Sequence, residues 1–107
     1  MPGYVASLRS GKVNGAADPQ ISNKSPVIVN ANGDDGYAPL AIERGIPALA
    51  KAASEFGIAV MTLTHTHHFA ALWPEVEALA EQNLAGMACV SYMPNVAPHG
   101  SNKPLFG

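Results

Sequence analysis

Ile42, Ile46, Leu49, Ala53 and Phe56 recur at intervals of four, three, four and three residues, which draws a single apolar stripe down one side of a helix. Gly57 follows at once and supplies the left-handed residue that closes such helices. A stripe of this kind is stable only against another apolar surface, and the chain offers one on either side. Pro26-Val27-Ile28-Val29 precedes it and residues 58–64 follow it, both short, apolar and β-branched. Strand, helix and strand in that order form a crossover unit, with two parallel strands and the helix on one face. Pro47 interrupts the stripe, lacking an amide hydrogen and crowding the carbonyl of Glu43, so a kink or restart is expected near Gly45.

The pattern then repeats. Leu72, Val76, Leu79 and Ala80 give a second helical stripe that begins close before Pro74, and residues 87–90 read as a third strand. At the start, Tyr4, Val5 and Leu8 share a face of a short helix over residues 2–12, with Pro2 in its first turn and Gly11 as its stop. Residues 13–25 are rich in Asn, Gly, Asp and Ser and read as a linker, and residues 30–36, Asn-Ala-Asn-Gly-Asp-Asp-Gly, as a turn. The fold class is therefore α/β, a small sheet with crossover helices in the order β-α-β-α-β behind an N-terminal helix. Residues 1–25 form the helix and linker, and residues 26–107 a partial α/β domain. From Ser91 onward no period survives among Pro94, Pro98 and Pro104, and the apolar Leu105-Phe106 pair at the end reads as an interruption, so a piece of a longer protein is expected.

Charge narrows the function. Only 13% of the 107 residues are charged, so part of the surface is expected to be covered by another domain or a second subunit. Six basic residues spread from Arg9 to Lys103 under a net charge of −2 make no patch for a nucleic acid or an anionic membrane. With neither a signal-peptide pattern nor a membrane-length apolar run, and one cysteine set among apolar neighbours, the chain reads as cytoplasmic with Cys89 as a core thiol.

The chemistry gathers at His65, His67 and His68, between the strand of residues 58–64 and the second helix. Alternation along a strand sends His65 and His67 to one face and His68 to the other, which argues against one shared metal. His99 brings no carboxylate or second cysteine at ligand spacing, so no metal is assigned. His68 falls where a strand gives way to a helix, at the carboxyl edge where α/β proteins collect their ligands and beside a helix amino end that disfavours imidazolium. It is the candidate for acid–base work, the alternative being a histidine hydrogen-bonded at a strand end. The ten glycines form neither a dinucleotide fingerprint nor a phosphate loop, and no serine sits in a nucleophile elbow. Asp34 and Asp35 read as turn formers.

The stretch His67-His68-Phe69-Ala70-Ala71-Leu72-Trp73-Pro74-Glu75, with Gly57-Ile58-Ala59-Val60 before it and Val96-Ala97-Pro98-His99-Gly100 and Lys103-Pro104-Leu105-Phe106-Gly107 after it, resembles the type-2 malate/L-lactate dehydrogenases. Within them it is most similar to the Δ1-piperideine-2-carboxylate/Δ1-pyrroline-2-carboxylate reductases. The resemblance begins at Pro2-Gly3-Tyr4 and spans the chain. It implies reduction of a 2-oxo acid or cyclic imino acid with NADH or NADPH, on a fold other than the Rossmann domain; separately, the low charge makes a homo-oligomer the expected state. The resemblance also implies His68 as proton donor or acceptor, Tyr4 near the substrate, and His68, Ser91, Tyr92, Pro98, His99 and Gly100 along the dinucleotide. Tyr92 departs from the small hydroxyl residue usual at its place. Such enzymes are roughly three times as long, and their serine-histidine-glycine and arginine substrate motif is absent here. The rival expectation is a truncated, non-catalytic α/β module that associates with itself or a partner.

Overall fold

The structure, a computed structural model, describes residues 2–69, 71–91 and 93–105, with the backbone alone for residues 2–4. Helix α1 spans Pro2–Arg9, strand β1 Gln20–Ser25, strand β2 Ile28–Tyr37, helix α2 Ala38–Phe56, strand β3 Val60–His67 and helix α3 Trp73–Ala80. The sheet runs β1-β2-β3, with β1 antiparallel and β3 parallel to β2. Among the described residues the fold is thus α/β with a mixed sheet and one crossover, β2-α2-β3.

Helix α2 is the expected stripe, extended at its start. It runs unbroken through Pro47, where a kink or restart was the expectation, and ends at Gly57, whose φ of 87° lets its amide reach the Ala53 carbonyl at 2.8 Å. Ile42 and Ile46 are buried, joining Ala38, Ala50 and Leu79 of α3 in the core, with Leu49 and Met61 packed against them. Phe56, at the far end of the stripe, is 52% exposed. Gly45 lets the helix approach the sheet, since a side chain there would meet Met61 Sδ and Ala31 Cβ.

Two strand boundaries differ from expectation. The latter half of the stretch read as a linker is strand β1, a mostly exposed polar edge strand held by its ladder to β2 rather than by burial. Residues 30–36, read as a turn, continue β2. Val29, Ala31, Gly33 and Gly36 are its buried positions, and the extra residues form a bulge at Asp34 and Asp35, with φ of 53° and 57°. Turn-forming residues here interrupt a ladder without ending it.

The second crossover is corrected as well. Residues 87–90 form no strand: Met87 is 89% exposed and Cys89, read as a core thiol, is exposed. Strand β3, despite its apolar residues, is largely exposed, because among the described residues β2 alone borders it. α3 begins at Trp73 with Pro74 in its first turn, where the missing amide hydrogen does no harm. Large apolar side chains lie open to solvent, among them Ile58 and Trp73 at 73% and 62%. Among the described residues no helix is long and apolar enough to cross a membrane.

Candidate functional site

Parallel pairing brings the carboxyl ends of β2 and β3 side by side, with Tyr37 opposite His67. At this edge β2 turns into α2, Tyr37 serving as the extended N-cap residue, and β3 gives way to His68 in a left-handed conformation with φ of 47°. His65 is also left-handed, with φ of 50°. The strict alternation assumed for the three histidines is therefore broken at its first member. Non-glycine residues adopt this conformation where tertiary contacts over-determine it, which is common at functional sites.

The contacts sort the histidines. His65 faces Asp35 across the bulge, Nδ1 to Oδ1 at 3.7 Å, with both side chains more than half exposed, an arrangement that contributes little to stability. His67 is half-buried at the strand end. His68, half-buried, has among its described contacts Ser7 and Tyr37, which the sequence did not announce. Its Nε2 lies 2.8 Å from the hydroxyl of Ser7 on α1, and its ring lies 5.9 Å from the Tyr37 ring at an interplanar angle of 42°. The helix start beside His68 in these contacts is that of α2, through its N-cap residue, rather than α3. Among the described residues no three His, Cys, Asp or Glu side chains are arranged to hold a metal.

Tyr4 is in α1, with only its backbone described, and Tyr92 lies outside the described residues. Ser91, His99 and Gly100 are exposed and Pro98 is half-buried in an irregular segment. Its described hydrogen bonds are local: Ser101 N–H to the Pro98 carbonyl at 3.0 Å, around Gly100 at φ of 81°, and Leu105 N–H to the Val96 carbonyl at 2.9 Å. Those bonds shape the segment from within.

Two open cavities flank α2. One, of about 530 Å³, lies toward the helix's carboxyl end, lined by Lys51, Glu55 and Phe56 together with Asn23 and Ser25. The other, of about 510 Å³, begins one residue beyond His68, at Phe69, and runs between α2 and α3 past Ile42, Ile46 and Pro74. Both are within the size range of small-molecule sites. The second lies at the carboxyl edge, where α/β sheets bind ligands, and is the more relevant. Glu43 and Glu75 also line it, so it suits an apolar or aromatic ring and repels a phosphate.

The family model described as malate/L-lactate dehydrogenase matches residues 1–107. A Δ1-pyrroline-2-carboxylate/Δ1-piperideine-2-carboxylate reductase of Pseudomonas putida is 45% identical over 107 residues, covering 100% of this chain and 31% of that protein. A Δ1-pyrroline-2-carboxylate reductase of Ancylobacter novellus is 42% identical over 105 residues, 98% of this chain and 31% of its own length. The crystal structure of Δ1-piperideine-2-carboxylate reductase from Pseudomonas syringae pv. tomato superposes with a TM-score of 0.76 at 36% identity, covering 100% of this chain and 32% of that one. The chain thus spans about a third of the length of the curated relatives it matches.

Proposed function

Because the chain belongs to the malate/L-lactate dehydrogenase family, we propose that it is a segment of an oxidoreductase that reduces a cyclic imino acid, or a related 2-oxo acid, with NADPH or NADH. The observation that carries this reading is the placing of His68: a half-exposed imidazole at the carboxyl edge of the parallel strands, held by Ser7 and Tyr37 beside an apolar cavity. The names of the relatives support the substrate class.

The site accommodates the nicotinamide half of the cofactor better than the phosphates, since an aromatic ring suits the Phe69 cavity and the carboxylates there oppose anions. In this reading Ser91, Tyr92, Pro98, His99 and Gly100 line the dinucleotide with His68, and binding proceeds without the Rossmann glycine fingerprint. When bound, the cofactor supplies a hydride to the substrate carbon. His68 holds the proton that the substrate nitrogen or oxygen takes up, and recovers one from water between turnovers. Tyr4 is assigned to the substrate. Residues 26–107 belong to a larger α/β domain, residues 1–25 stand before it, and the setting is the cytoplasm, with neither nucleic acid nor membrane as partner.

The test replaces the matching third of the Pseudomonas putida relative with this chain. The hybrid is expected to oxidise NADPH or NADH when given Δ1-pyrroline-2-carboxylate. A folded hybrid without turnover on imino or 2-oxo acids removes the proposal.

The exposed apolar residues favour one further element, self-association, with Ile58, Trp73 and Met87 among the surface to be covered. Sedimentation velocity of the chain is expected to show a dimer or larger species. A single monomeric boundary at every concentration contradicts it and the non-catalytic self-association alternative alike.

A further inference from the structure

We infer that Ser7 is a positioning residue for His68, an inference that rests on the reading of His68 as a proton carrier. The two residues are 61 positions apart, and Ser7 Oγ lies 2.8 Å from His68 Nε2. Among the described residues α1 lies against no other helix or strand, so this hydrogen bond is a specific link between the helix and the carboxyl edge of the sheet. The end of α1 that carries Ser7 is itself knotted. The Ser10 hydroxyl donates to the Ser7 carbonyl at 2.7 Å and accepts the Lys12 amide at 3.4 Å, closing the helix one turn beyond Ser7.

The type of group matters as much as its place. A histidine that takes up and gives away protons changes the role of its ring nitrogens in each turnover. A hydroxyl donates to Nε2 when that atom carries a lone pair and accepts from it when it carries hydrogen. A carboxylate or an ammonium serves only one of these states. Ser7 therefore holds the ring in one orientation through both halves of a proton cycle, while the Tyr37 ring, 5.9 Å away, limits its tilt. The left-handed backbone of His68 fixes the start of the side chain and Ser7 fixes its end.

Ser7→Thr and Ser7→Val separate the hydroxyl from the shape, because the two side chains are nearly isosteric. In the chain labelled at its histidine ring nitrogens, Ser7→Val is expected to move the His68 Nε2 signal toward that of the exposed His99, leaving His65 and His67 in place. Ser7→Thr leaves it unmoved. In the hybrid reductase, Ser7→Val is expected to lower kcat by about tenfold, the order of one hydrogen bond, at unchanged KM for the nucleotide, and Ser7→Thr to restore it. In a His68→Ala background Ser7→Val then has no further effect, because the two side chains act as one unit. An unmoved His68 signal, full kcat in Ser7→Val, or a loss that persists without the imidazole overturns the inference. Full turnover in His68→Ala alone instead overturns the reading on which it rests.

Discussion

Gly33→Ala is expected to lower the thermal midpoint of the chain by about 5–15 °C, the effect of over-packing by about 1–3 kcal/mol in a domain this small. A Cβ at position 33 would lie 2.3 Å from Thr66 Cγ2 and 2.8 Å from the His65 carbonyl oxygen. The threonine methyl can turn aside, but the carbonyl belongs to the backbone of β3 and moves only with the strand. The strain is one of space rather than of dihedral angle, because Gly33 is not among the positive-φ glycines. It falls on the two residues just before His67 and His68, so the same substitution is expected to reduce turnover of the hybrid reductase. Gly15→Ala is the matched control. Among the described residues its Cβ meets Leu8 Cδ1 alone, at 3.2 Å, a flexible end that can withdraw. Calorimetry of both variants checks the expectation, and equal melting of Gly33→Ala and the parent chain contradicts it.

The role of Gly33 also shows where the sequence was legible. α2 could be read because periodicity and a glycine stop agree from Ile42 to Gly57, with burial following at Ile42 and Ile46. β1 could not, because Ser22, Asn23 and Lys24 are exposed and the strand is held by main-chain bonds, which leave no hydrophobic alternation. The Asn32-Gly33-Asp34-Asp35-Gly36 run carries the residues of a turn, yet Gly33 and Gly36 are buried within β2 and the aspartates form its bulge. Met87 and Val90 have the composition of a strand, but strand formation needs an edge to pair with, which a local pattern cannot report.

The candidate site divides in the same way. His68 was found by its place between a strand and a helix, a local feature. Ser7 and Tyr37 were missed, because a serine in a short helix carries no pattern and its meeting with His68 depends on how the termini of three elements converge. Apart from His99, weighed as a metal ligand, the 91–100 segment was picked out by family resemblance, and its described backbone hydrogen bonds are with Ser101 and Leu105, a few residues on.

The kinetics of His68→Ala test the account at its centre. Steady-state reduction of Δ1-pyrroline-2-carboxylate by the hybrid reductase gives kcat and the KM for each substrate, which separate a proton carrier from a binding contact. A proton carrier predicts a fall in kcat of about 10²–10⁴-fold, the usual contribution of a positioned acid or base, with the nucleotide KM little changed. Retained kcat with a raised KM for NADPH would make the imidazole a cofactor contact alone and contradict the role assigned to it.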